Sequence, residues 1–403
     1  MVDLDDLKAR VDAEIEANAD RLISASRAMH AQPELGFDEH NAPDLLSGRL
    51  EAGGLSVERG AYGLPTAFAA RAGDSGPLVA VLCEYDALPG IGHACGHNVI
   101  GAAGVGAGLA AAKVAHEVGG RILVLGTPAE EGGGGKVALA EAGAFQGVDA
   151  AMMIHPAGLE LTRIRAIAIQ QVHVTYHGEA AHAAAAPDRG RNALDAAVLG
   201  YQAVAALRQH IRPDERIHGI FTEAGEAPNV VPARASAHWY VRSPTVDGLT
   251  KLKVRVLEAL GSGAVATGCT MEHRWVDPAY ADMVDNESLL AAYTRNLERC
   301  GRHALEPDDD QQVVGSTDMG NISHLVPSIH PMVAVSAPDV PIHTTEFARF
   351  AGSERGDRAV LDGARTLAAT IVDLWAAPEL MNAVRDEFAG HLASGRVSGR
   401  ATV

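Results

Sequence analysis

The stretch Glu84-Tyr85-Asp86-Ala87-Leu88-Pro89-Gly90-Ile91-Gly92-His93-Ala94-Cys95-Gly96-His97-Asn98 sets a thiol and an imidazole two residues apart, directly after an apolar run from Pro77 to Cys83. Thiolate and neutral imidazole are favoured ligands of transition metals. A second apolar run, Arg121 to Leu125, leads into Thr127-Pro128-Ala129-Glu130-Glu131. His155 closes a third, Ala150 to Ile154, and His343 lies just beyond Val333-Ala334-Val335. The strand ends of an α/β sheet converge on one crevice. Four such ends offer a Cys-x-His pair, a Glu-Glu pair and two histidines. That is a ligand set for one or two divalent metals, with a carboxylate to spare for proton transfer. Taken singly, each piece has a plainer reading: a small core cysteine, a hydrogen-bonded histidine, a solvated pair of glutamates at a helix start. Their recurrence at consecutive strand ends favours the metal.

The elements that must position these groups follow from the pattern of apolar residues. Leu4 to Met29 repeats them at helical spacing up to Gln32-Pro33, and Ala42 to Ala52 forms a second helix closed by Gly53-Gly54. Strands are expected at Thr66 to Arg71 and Pro77 to Cys83, then an Ala/Gly-rich helix at Val99 to Val118, a strand, the Glu-Glu loop, a helix at Lys136 to Ala142 and another strand. Continuous apolar strands alternating with helices imply a mostly parallel sheet covered on both faces. From about Ile169 to Met283 the pattern changes. An alternating strand (Gln170 to Tyr176), a helix (Asn192 to Ile211), two strands (His218 to Glu223, Arg234 to Arg242), a helix (Thr250 to Leu260) and a strand (Thr270 to Val276) give the βαββαβ order of a ferredoxin-like unit. The α/β series resumes near Ser288 and ends in a helix from Asp357 to Trp375, with a weakly ordered tail expected after Gly390. The reading is therefore a catalytic domain in two parts, 1–168 and 284–403, interrupted by an inserted unit, 169–283.

The 403-residue chain is long enough for two domains, and its formal charge of −18 argues against a nucleic-acid partner. With no uninterrupted apolar run of eighteen residues, no membrane partner is expected. The acidic, amphipathic segment Met1 to Asp20 lacks the character of a signal peptide, and four cysteines (Cys83, Cys95, Cys269, Cys300) do not make a disulfide framework. A reduced, cytoplasmic protein is expected. Two motifs mislead. Gly73-Asp74-Ser75-Gly76-Pro77 looks like a serine-protease nucleophile segment, but only His30 and His40 precede it, and neither has a matching context. Gly104-Val105-Gly106-Ala107-Gly108 falls inside a helix rather than between strand and helix, so close packing explains it better than a dinucleotide.

Taken together, these residues resemble the aminoacylase/carboxypeptidase superfamily of metal-dependent amidohydrolases and peptidases, in the branch of p-aminobenzoyl-glutamate hydrolase and N-acyl-amino-acid hydrolases. The matching segments are His30 to Phe37, Glu84 to Asn98, Thr127 to Glu131, Gly178-Glu179-Ala180-Ala181-His182-Ala183, Asn192-Ala193-Leu194, Pro228-Asn229-Val230-Val231-Pro232 and Gly315-Ser316-Thr317-Asp318. The resemblance implies a two-metal catalytic domain interrupted by a lid or dimerisation domain. It implies Cys95, His97, Glu131, His155 and His343 as ligands of Zn or Mn, Glu130 as general base and Asp86 as an acidic residue that orients a ligand. It further implies His182 as a lid histidine reaching an active site, often the partner subunit's, and Asn229 and Arg242 as holders of the substrate carboxylate. The chain departs from the peptidase branches by carrying Glu84 where they have a ligand histidine, and Cys95 takes that place. Asn98 stands where Asp commonly follows Cys-Gly-His.

The chemistry so implied is hydrolysis of an amide bond in an N-acyl amino acid. A dipeptidase is the second reading, separated from the first by whether a free amino group is needed on the acyl side. A metal-binding adaptor without turnover is the third, and the presence of Glu130 speaks against it. The helix Asn192 to Ile211 has more apolar surface than one small sheet must cover, which implies a two-fold homodimer.

Overall fold

A computed structural model describes residues 3–307 and 314–402. Along the chain run α1 (Leu4–Ala17), α2 (Ala19–Ala31), α3 (Asn41–Ala52), β1 (Ser56–Arg59), β2 (Phe68–Ala72), β3 (Leu78–Glu84), α4 (His97–Val118), β4 (Arg121–Thr127), α5 (Gly135–Glu141), β5 (Ala150–Met152), β6 (His155–Ala157) and β7 (Arg165–Ala166). Next come β8 (Ala168–His177), α6 (Ala193–Leu207), β9 (Arg216–Glu223), β10 (Arg234–Ser243), α7 (Val246–Thr267) and β11 (Thr270–Tyr280). The chain closes with α8 (Glu287–Arg299), β12 (Val314–Gly315), α9 (Met319–Ser323), β13 (Ser328–Ile329), β14 (Met332–Ala334), α10 (Thr345–Ala351), α11 (Glu354–Ala376) and α12 (Pro378–Ser394). The chain divides into two units, Met1–Arg165 with Met283–Thr402, and Ala166–Asp282.

The first unit is built on a six-stranded sheet in the order β1-β2-β4-β3-β5-β13. The run β4-β3-β5-β13 is parallel, while β1 and β2 add an antiparallel edge. The central strands are apolar throughout because both faces are covered, and Val79, Val81, Ile122 and Val124 have no exposed surface. In the parallel register Glu84 sits beside Thr127, so the loops after β3 and β4 leave from the same edge. Helix α4 packs on this sheet through small residues. A Cβ on Gly108 would stand 2.1 Å from Val124 Cγ2, and one on Gly104 would stand 2.5 Å from Cys83 Sγ. Gly104 and Gly108 are thus spacers between helix and sheet, while Gly106 lets α4 approach Leu22 of α2 and Ala364 of α11. Helix α4 is long and apolar enough to cross a membrane by length and composition, yet most of it is buried in this core.

The second unit is an antiparallel four-stranded sheet, β11-β8-β10-β9, with α6 and α7 as its helices, so its element order is βαββαβ. Val172, Val174, Tyr176, Trp239, Val256 and Leu260 belong to its core.

Three expectations are corrected. The first helix breaks at Asn18, whose side chain bonds back to the Glu14 carbonyl at 2.9 Å while its N–H closes α1. Strand β1 is an addition, because Ser56-Val57-Glu58-Arg59 has no buried residue to set a pattern. The end of the chain is ordered: α12 runs to Ser394, Gly399 N–H donates to the His324 carbonyl, and Asn321 Nδ2 donates to the Ala401 carbonyl.

Candidate metal centre and active site

The candidate ligands of the first unit stand at strand ends or in the loops that follow strands. Cys95 and His97 close the β3–α4 loop, with His97 as the first residue of α4. The turn depends on Gly96, whose φ of 81° is left-handed and whose Cβ would meet Pro156 at 2.8 Å. Glu130 and Glu131 follow β4 through Ala129, a non-glycine residue at φ 56°. Its N–H donates to buried Glu39 Oε1 at 2.8 Å, which anchors the strained turn. His155 opens β6. His343, at φ 64°, is tied by its N–H to the Ala94 carbonyl at 2.8 Å, next to Cys95.

These residues meet. The ligand atoms of Cys95, His97 and His155 lie within 4.8 Å of one another, and so do those of Cys95, Glu131 and His343. The two sets share the Cys95 sulfur, which lies 3.3 Å from His155 Nε2. A third set, His97, Glu130 and Glu131, places Glu130 beside both. His97 Nε2 is 3.9 Å from a carboxylate oxygen of each glutamate, and His343 Nε2 is 3.5 Å from Glu131 Oε1. Buried His97 Nε2 and Glu131 Oε1 have no hydrogen-bond partner, as atoms reserved for a cation would. Thiolate, imidazole and carboxylate donors suit Zn or Mn.

Orienting contacts complete the set. Asp86 Oδ1 lies 3.0 Å from His97 Nδ1, and its Oδ2 accepts the Glu131 N–H at 3.0 Å. One carboxylate therefore turns His97 Nε2 outward and fixes the backbone of Glu131. His155 Nδ1 lies 2.8 Å from the Pro156 carbonyl, so its proton sits there and Nε2 faces the sulfur. Burial pushes His155 down to about 4, leaving it neutral. Burial opposes a charge on His97 too, but Asp86, Glu84 and Cys95 outweigh it and hold its pKa high, so metal entry would displace that proton. Burial, followed by the charges of Glu84, Glu131 and Asp318, pushes the Glu130 carboxyl well above the usual range.

Three candidates belong to the second unit. His182 and Asn229 are brought together there: His182 bridges to Val230, and Ala183 N–H donates to the Asn229 carbonyl at 3.0 Å. His182 Nδ1 accepts from Ala184 N–H at 3.3 Å and Ala185 N–H at 3.1 Å. That fixes the tautomer with the proton on the exposed Nε2. Arg242 lies near the far end of β10, over the Tyr240 ring at 5.8 Å. From Arg234 to Arg242 the strand runs about 26 Å at the usual rise, so one chain does not bring Arg242 to Asn229. Several buried groups of the first unit escape a reading of the sequence. Glu39 carries no signal, Lys136 reads as a helix start, and Asp318 falls in a motif without a role. Both ring nitrogens of His330, packed edge-on against His155, are buried without partners.

A model of peptidase family M20/M25/M40 matches residues 80–373. Xaa-Arg dipeptidases of Mus musculus and Homo sapiens are 39% and 38% identical to the chain, each alignment covering 96% of it and 93% of the relative. A p-aminobenzoyl-glutamate hydrolase of Escherichia coli is 28% identical, with 94% of both chains covered. Among solved structures, a dinuclear metal-binding peptidase from Bacillus subtilis superposes with a TM-score of 0.72 at 20% identity, covering 90% of this chain and 99% of that one. An aminobenzoyl-glutamate utilization protein from Klebsiella pneumoniae gives 0.71 at 19%, covering 91% and 99%. At those identities the likeness is one of fold.

Proposed function

This chain belongs to peptidase family M20/M25/M40 and is an enzyme hydrolysing the amide bond of an acyl-amino acid or dipeptide, and we propose that its substrate is a dipeptide. The observation that carries the chemistry is the pair of ligand sets sharing Cys95, with Glu130 beside both. The dipeptide is favoured over the N-acyl amino acid because the Xaa-Arg dipeptidases match more strongly than the p-aminobenzoyl-glutamate hydrolase. A basic C-terminal residue is the first substrate to try, and an overall charge of −18 draws cationic substrates in.

In this proposal Cys95, His97 and His155 hold one divalent ion, and Cys95, Glu131 and His343 a second, both Zn or Mn. Bound there, the ions supply Lewis acidity toward a carbonyl and toward water. Glu130 takes the proton of the attacking water and returns it to the leaving amine. Asp86 keeps His97 in its ligating tautomer. The outward Nε2–H of His182 is a donor for the developing oxyanion. Arg242 grips the carboxylate of the C-terminal residue. Because Asn229 and Arg242 stand at opposite ends of β10, we assign them to different subunits of a homodimer. Exposed Ile220 and Phe221 on β9, which ends the order of its sheet, and Val198 and Leu199 on α6 are the apolar surface such a dimer would cover. Four unpaired cysteines fit a reducing, cytoplasmic setting.

Turnover against dipeptides with C-terminal Arg, Lys, Glu or Leu and against their N-acetylated forms, with Zn or Mn added to chelator-treated enzyme, tests the reading. Cleavage of the free dipeptides alone is expected. Equal rates on the N-acetylated forms would return the N-acyl reading. Mixed dimers of His182→Ala and Glu130→Gln subunits should regain activity; verified heterodimers without it would place His182 in its own subunit's site.

A further inference from the structure

A fourth group joins Glu130 to two carboxylates, Glu84 and Asp318, that the proposed reaction does not use. Carboxylate oxygens of Glu84, Glu130 and Asp318 lie within 4.8 Å of one another, and all three residues are buried. Were all three ionised, charges that close and that far from water would repel strongly. The balancing charge comes from the chain itself. Lys136, with no exposed surface, places Nζ 2.5 Å from Glu84 Oε1 and 2.5 Å from Asp318 Oδ1. Its own N–H, in the first turn of α5, donates to Asp318 Oδ2 at 2.9 Å, so the helix start and the ammonium grip one carboxylate together. The other oxygen of Glu84 reaches forward to 3.3 Å from His97 Nε2, the atom that would face a metal. An all-oxygen pocket of this charge is the kind that hard divalent ions such as Mg, Ca and Mn occupy.

We propose that the Lys136 ammonium is a built-in cation that fills the Glu84–Glu130–Asp318 pocket, closes it to an additional divalent ion and so keeps Glu130 out of metal coordination. Lys136 is then a positioning residue: it touches neither substrate nor the proposed metals, and it sets how many ions the centre accepts. The inference rests on the two-metal reading for its meaning, but its measurement does not.

The test is the metal content of Lys136→Met, which keeps the unbranched apolar stem and removes the ammonium with its charge. Wild type, Lys136→Met and the neutralised triple variant Lys136→Met/Glu84→Gln/Asp318→Asn are dialysed to equilibrium against Mn and counted by elemental analysis. Lys136→Met should hold one more Mn per chain than wild type, the extra ion should be displaced by Mg or Ca, and the triple variant should return to the wild-type count. Equal counts in wild type and Lys136→Met overturn the proposal. Should Lys136→Met fold poorly without metal, its thermal midpoint should rise with Mn beyond the concentration at which wild type levels off, and parallel curves would equally refute it. A wild-type count of zero would sink the two-metal reading while leaving the difference between the chains to decide the role of Lys136.

Discussion

Replacing Asp86 by Asn separates the orientation of a ligand from ligation itself. The Asp86 carboxylate is buried and faces two nitrogens, His97 Nδ1 and the Glu131 N–H, each at 3.0 Å. An amide of the same shape has one acceptor oxygen, and its NH2 must face one of them. Turned toward His97, the NH2 meets Nδ1–H unless the imidazole moves its proton to Nε2, where it can no longer ligate. Turned toward Glu131, it leaves a buried N–H unsatisfied at a cost of about 1–3 kcal/mol. Loss of such an orienting partner weakens metal affinity about 10–100-fold, or roughly 1.4–2.8 kcal/mol at 1.4 kcal/mol per decade. The dissociation constant for Mn or Zn, measured by competition with a chromophoric chelator at neutral pH, should rise by that factor. At saturating metal, kcat should come back to within about tenfold of wild type, because Glu130 and the ligands remain in place. A dissociation constant within about threefold of wild type would refute the idea that Asp86 fixes the tautomer of His97.

Glu130→Gln should fold, keep its metal and lose about 10²–10⁴-fold in kcat, whereas Glu131→Gln should lose metal first; the reverse outcome in metal analysis and kinetics would exchange their roles. In metal-free protein, burial holds His155 at about 4 and His93 at about 3, below the ordinary 6.5. A depressed folded pKa means stability that is full above 6.5 and lost as pH falls toward 4, so denaturant midpoints should drop between pH 6.5 and pH 5; flat midpoints would count against neutral buried histidines. Gly108→Ala gains about 1 kcal/mol of helix propensity but forces a methyl to 2.1 Å from Val124 Cγ2. Overpacking costs typically about 1–3 kcal/mol, so the thermal midpoint should fall, and a rise would show that α4 can move off the sheet.

What is legible in the sequence is set by local pattern. Strands β3 and β4 are buried on both faces, so they read as continuous apolar runs and locate the loops that follow them. His155, Cys95 and His97 stand out because their strand ends converge, and the structure does bring their ligand atoms together. Non-local contacts leave no such trace. The chain after Gly390 reads as a loose tail because the hydrogen bonds that tie its end go to His324 and Asn321, far back in the sequence. Asn229 and Arg242 enter as carboxylate holders only through the resemblance, and nothing in the local pattern shows that most of the extended β10 separates them along the chain. Lys136 is the hardest case. A lysine after four glycines, at the start of a short helix, reads as a solvated cation. Only Glu84, at the end of another strand, and Asp318, 182 residues further on, make its burial tolerable. Removing one member of such a buried set strands the charge of the others. Those partners are invisible from the local pattern, and they make the metal count of Lys136→Met informative: whatever replaces the ammonium, a proton or a metal ion, must bring positive charge to the buried carboxylates.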